Sequence, residues 1–177
     1  MDIMLDIETL GTRPECVILT LGAVKFNPFD IDAEPGPGLY MRIDVDKQIE
    51  LGREVQEETL QWWMNQAEDV REEALGESDR VSLDTMYKDL NRFLVGAKNI
   101  WCQGPAFDMV ILENIYRQCG WPTPWQFWQI RDSRTLFGVH GDPRVKGKVG
   151  LHNALEDCVS QAKGVQQVFH KHNIVKL

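Results

Sequence analysis

A chain of 177 residues is long enough for one domain with a substantial core, and the span 1–177 reads as a single domain with no internal repeat. Its hydrophobic content of 43% and charged content of 26% are ordinary for a globular protein, and no apolar run approaches the roughly 20 residues of a membrane helix. A net charge of −8 argues against a broadly basic nucleic-acid binder, so any such role must rest on a local patch or on bound cations.

The first predicted element is a strand, Asp2 to Glu8, apolar through Ile3-Met4-Leu5 and Ile7. Gly11 to Glu15 reads as a turn, and Cys16 to Phe26 as a second strand. Gly22 inside it marks a bulge or a close backbone approach. After the Glu34-Pro35-Gly36-Pro37-Gly38 loop, Leu39 to Val45 reads as a third strand, giving an antiparallel meander. Glu57 to Gln66 is helical in spacing. Ser82 caps a helix with Leu83, Met86, Leu90 and Leu94 on one face. Asn99 to Cys102 is a short strand, and Pro105 opens a helix to about Gln118. Phe127 to Arg131 reads as a fifth strand, followed by one or two helical turns from Ser133. Gly138 to Gly150 reads as a mobile basic loop holding Arg144, Lys146 and Lys148. A final helix runs from about Asn153 to His172. The order predicts an α/β domain with helices flanking a mixed five-stranded sheet whose first three strands are antiparallel.

The N-terminus lacks a basic start, because Asp2 and Asp6 interrupt its apolar run, which argues against a signal peptide. Cys16, Cys102, Cys119 and Cys158 are scattered, with no Cys-x-x-Cys pair, as in a cytoplasmic protein with reduced thiols.

Alternation along the first strand puts Asp6 and Glu8 on one face, about 7 Å apart. Two such acids at the end of a buried strand repel each other and resist desolvation. A divalent cation removes that penalty, and hard oxygen donors suit Mg²⁺ or Mn²⁺. Taken singly, Asp108 in the first turn of its helix complements the helix dipole, and so does Asp157. His152 precedes Asn153, which can cap the last helix, with Glu156 placed for a capping box.

Together these residues form a pattern. Asp6-Ile7-Glu8-Thr9, Gly104-Pro105-Ala106-Phe107-Asp108 and His152-Asn153-Ala154-Leu155-Glu156-Asp157 resemble the three motifs of the DEDDh 3′-5′ exonucleases, in the ribonuclease H-like superfamily. Thr59-Leu60-Gln61-Trp62-Trp63 and Arg131-Asp132-Ser133-Arg134-Thr135-Leu136 resemble the branch that holds the phage DexA exonuclease and the bacterial RNase AS. Gln103 departs from the pattern, standing where that family commonly has Asn. The resemblance implies a ribonuclease H-like fold and two Mg²⁺ ions, or Mn²⁺, on Asp6, Glu8, Asp108 and Asp157. It implies His152 as general base, with 5′-monophosphates released from the 3′ end of single-stranded DNA or RNA or from 3′ overhangs. Thr9, Leu10 and Phe107 would meet the terminal nucleotide, and Arg144, Lys146 and Lys148 the backbone. The resemblance is compatible with a homodimer. The other readings are a catalytically silent nucleic-acid-binding domain and a ribonuclease H-like endonuclease.

Overall fold

The computed structural model describes residues 1–144 and 152–176. A mixed sheet of six strands forms the centre, in the order β4-β3-β2-β1-β5-β6. These strands are β1 (Asp2–Thr9), β2 (Ile18–Phe26), β3 (Gly38–Ile43), β4 (Arg80–Val81), β5 (Ile100–Cys102) and β6 (Ile130–Asp132). β1, β2 and β3 form the expected antiparallel meander, while β4, β5 and β6 each pair in parallel with a neighbour. The described helices are α1 (Val45–Glu50), α2 (Glu57–Met64), α3 (Glu68–Leu75), α4 (Leu83–Leu94), α5 (Pro105–Gln118), α6 (Ser133–His140) and α7 (Ala154–Lys171).

The two faces of β1 carry different cargo. Ile3, Leu5 and Ile7 pack with Met86, Leu90 and Leu94 of α4 and with Ile111, Leu112, Ile115 and Tyr116 of α5. Full burial of such a side chain contributes roughly 1.5–3 kcal/mol. Met4 faces the opposite layer, against Cys158, Ala162, Val165 and Phe169 of α7. Alternation then turns Asp6 and Glu8 towards that same α7 side. A smaller cluster joins Leu10, Val17 and Leu19 to Trp63 of α2 and to Val70 and Ala74 of α3.

Local chemistry sets the ends of these elements. Ser82 Oγ accepts from Thr85 N at 3.1 Å and starts α4. Pro105 occupies the first turn of α5, where its missing N–H costs nothing. Asn153 Oδ1 accepts from the backbone N–H groups of Leu155 and Glu156, capping α7. Gly22 sits opposite Asp6 in the ladder, and it is a point of close approach and not a bulge. A Cβ there would lie 2.3 Å from the carbonyl carbon of Ala154, so only glycine lets α7 begin directly over β2.

Three expectations need correction. The sheet has six strands and not five, because the two residues of β4 pair with β3 beyond the Gly76–Asp79 break. The last strand begins at Ile130, and Phe127–Gln129 forms a 3-10 turn that leaves Phe127 and Trp128 exposed. The stretch from Gly138 is not loop at its start, since α6 runs to His140. Lys146 and Lys148 lie outside the described residues. The described thiols are free, and Cys16, Cys102 and Cys158 are buried. Among the described residues, no helix is long and apolar enough to cross a membrane.

Candidate active site

Three elements converge where β1 ends. One carboxylate oxygen from each of Asp6, Glu8 and Asp157 falls in a group whose members all lie within 4.8 Å of one another. β1 supplies the first two, and the early turns of α7 supply the third. Asp108, in the first turn of α5, stands beside this group and not within it, close enough for its charge to act on Asp6. It is buried, and its Oδ1 accepts from Ile7 N at 3.2 Å, which ties it to the backbone between Asp6 and Glu8. Gly104, with φ of 123°, turns the chain from β5 into α5 and sets that angle of approach.

The electrostatics are those of a crowded anionic cluster. Burial, and then the neighbouring Asp108 charge, push the Asp6 carboxyl well above the usual carboxylate range, while a hydrogen bond from Gln161 opposes the shift. Burial, with the charges of Asp6, Asp157 and Asp108, raises Glu8 to about 9. Burial raises Asp108 to about 7, against the lowering effect of the Ile7 N–H, and raises Asp157 to about 6, against the lowering effect of the Arg144 charge. A donor set made only of carboxylate oxygens, each disfavoured as an anion by burial, fits hard divalent cations.

His152 stands at φ 61°, in the left-handed region, just before the α7 cap. Its ring lies edge-on to Trp62 at 4.8 Å and to Trp63 at 6.0 Å between centroids. Partial burial lowers its pKa from the ordinary imidazole value. Trp63 is itself anchored, because its Nε1 donates to Thr9 O at 2.9 Å. α2 therefore links the imidazole to the end of β1.

The other expected contacts are placed unevenly. Thr9 and Leu10 are buried: Thr9 Oγ1 donates to Gly11 O, and Leu10 packs with Trp63. Phe107 is half-buried beside Asp108. Arg144 pairs with Asp142 at 2.6 Å and lies over the Phe137 ring at 4.7 Å. Its charge still lowers the pKa of both Asp6 and Asp157.

Gln161 was not legible as a site residue. It lies one turn after Asp157 on α7, and its Nε2 donates to Asp6 Oδ1 at 3.1 Å. The i, i+4 spacing from Asp157 is the signal that could have found it. Arg134 reads from sequence only as a weak candidate for the substrate backbone. Its Nη2 donates to Gln103 O at 2.9 Å, and its charge lowers the pKa of Asp108.

Comparison with known proteins bears on the fold and the family. The exodeoxyribonuclease of Enterobacteria phage T4 is 25% identical over 191 residues, covering 89% of this chain and 84% of that protein. The cell-death related nuclease CRN-4 superposes with a TM-score of 0.60 at 12% identity, over 97% of this chain and 64% of its own. E. coli exonuclease I bound to a 5cy-dA13 oligonucleotide gives a TM-score of 0.63 at 14% identity, over 99% of this chain. This chain spans only 42% of that enzyme's length. These structural likenesses establish a shared ribonuclease H-like α/β fold. The sequence profile of one nuclease family matches residues 1–169, and on that match the chain belongs to the 3′-5′ exoribonuclease Rv2179c-like domain family.

Proposed function

We propose that the protein is a DEDDh 3′-5′ exonuclease that hydrolyses phosphodiester bonds one at a time from the 3′ end of single-stranded nucleic acid or a 3′ overhang. The observation that carries this reading is the convergence of Asp6, Glu8 and Asp157 oxygens within 4.8 Å, with Asp108 tied to the strand between the first two. Asp6, Glu8, Asp108 and Asp157 would hold two Mg²⁺ or Mn²⁺ ions. When bound, such ions neutralise the scissile phosphate and acidify the attacking water.

The chain's own residues do the rest. His152 takes the proton of the attacking water on its imidazole, and its lowered pKa keeps that ring neutral near pH 7. Trp62 and Trp63 pack edge-on against that ring. Gln161 donates to one oxygen of Asp6 and so orients that carboxylate, which would help to hold a cation. Phe107, next to Asp108, offers a half-buried ring to the terminal base. Thr9 and Leu10 support this wall from inside the fold. The products are nucleoside 5′-monophosphates.

The sugar preference is a matter for experiment, because discrimination rests on contacts to the 2′-hydroxyl. Matched single-stranded DNA, single-stranded RNA and overhanging duplexes are incubated with wild-type protein and Asp6→Asn under Mg²⁺ and Mn²⁺. We expect 5′-monophosphates from the 3′ end with the wild type, and a loss of at least a hundredfold in the variant. Activity retained by Asp6→Asn would overturn the cluster assignment. Cutting of a circular single strand would overturn the exonuclease assignment.

A further inference from the structure

Arg134 is exposed, yet it is held in place at the border of the acid cluster. It is the second residue of α6, and its backbone N donates to Asp132 Oδ1 at 2.9 Å. Its Nη2 donates to Gln103 O, the residue before the Gly104 turn. A Cβ on Gly104 would stand 3.5 Å from Arg134 Nε and 3.8 Å from Nη2, so the guanidinium lies across the glycine at van der Waals distance. Asp108, four residues after Gly104, feels its charge.

The remaining donors of this fork are uncommitted. A guanidinium carries five N–H donors in a plane that matches phosphate oxygens. Among the described residues, only the bond to Gln103 O uses this guanidinium. The neighbouring cations differ. Arg144 is paired with Asp142 and stacked on Phe137, and Arg131 Nη1 donates to the Trp128 and Ile130 carbonyls. The sheet order places β6 two strand spacings from β1, about 10 Å. Arg134 therefore flanks the acids and does not enter between them.

We propose that Arg134 binds a phosphodiester on the 5′ side of the bond being cut, so that it grips the strand and not the reacting phosphate. This rests on the exonuclease reading above and adds the residue that registers a polymer against the site. In a chain of net charge −8, a braced guanidinium beside the acids gives a polyanion a fixed point of attachment.

The test compares Arg134→Ala and Arg134→Lys with wild type on a single-stranded decamer and on a dinucleoside monophosphate, which has no upstream phosphate. In Arg134→Ala, KM for the decamer should rise about tenfold more than KM for the dinucleoside. Arg134→Lys, which keeps the charge but not the fork, should fall between. Decamer binding followed by fluorescence anisotropy in EDTA should lose about 0.7 from its log–log salt slope in Arg134→Ala. Equal losses on both substrates, with a lowered Tm, would mean that Arg134 only braces the Gln103 turn, and the proposal would fall. An unchanged salt slope would also overturn it. The anisotropy arm needs no turnover, so a wild type that binds with the full slope but cuts nothing would count against the exonuclease reading and not against Arg134.

Discussion

His152 combines an unusual backbone with a built environment. A residue other than glycine at φ 61° carries a conformational cost, and here it is met by edge-on packing against two indoles. In the proposed role of general base the imidazole acts in its neutral form, so kcat should fall as pH drops below its lowered pKa. His152→Ala should lower kcat by roughly 10²–10⁴-fold while KM changes only a few-fold. Steady-state kinetics on a decamer decides this: a KM rise matching the kcat loss would assign His152 to binding. Strand alternation paired Asp6 and Glu8 from sequence, whereas Asp108, Asp157 and His152 read singly as helix-end residues and joined them only through the resemblance of their three motifs to the exonuclease family. Gln161 was not legible, because its partner Asp6 is distant in the chain and short-range patterns are silent about such pairs. Arg134 reads only as a weak backbone candidate for the same reason, its partner Gln103 being remote in the chain.

At the scale of elements, the site depends on how closely α7 docks on β2. Gly22→Ala puts a methyl group where the Ala154 carbonyl carbon, the Ala154 oxygen and Leu155 N already stand, at 2.3 to 2.4 Å. Backbone cannot yield as a flexible side chain does, so α7 must lift and carry Asp157 away from Asp6 and Glu8. We expect roughly 1–3 kcal/mol of destabilisation and a larger fractional loss of activity than of folded protein. Denaturant melts and kinetics at one temperature check both, and an active, fully stable Gly22→Ala would refute the docking argument. The sequence marked this glycine as a bulge or a close approach, and packing decides between them. Capped and periodic elements were readable: α4 begins after Ser82, α5 begins at Pro105, and α7 follows Asn153. Short elements were not. α1 has six residues, and β4 has two, too few to show any period. Phe127 and Trp128 mimic a strand through β-prone bulk, yet they are exposed on a 3-10 turn.

At the scale of the molecule, the acid cluster couples folding to pH and cations. Glu8 is raised to about 9, Asp108 to about 7 and Asp157 to about 6, all above the roughly 4 of an unfolded carboxyl. A folded value above the unfolded one means that the protonated form supports the fold. That support is complete below about pH 4 and is lost as pH rises through the folded values. Metal-free protein should therefore melt at lower temperature at pH 8.5 than at pH 5. Millimolar Mg²⁺ should raise Tm several degrees at pH 8.5 and little at pH 5. A Tm indifferent to Mg²⁺ at pH 8.5 would sink the cation site.

The contribution of α7 has a consequence in time. The strand that carries Asp6 and Glu8 is made first, and the helix that carries Asp157 and covers that strand is made more than a hundred residues later. Chains are synthesised from the N-terminus. A nascent chain that has reached only residue 153 carries Asp6, Glu8 and Asp108 but lacks Asp157, so the acid cluster stays incomplete until α7 is made. The proposed activity would thus await the emergence of α7, and proteolytic loss of this helix would abolish it.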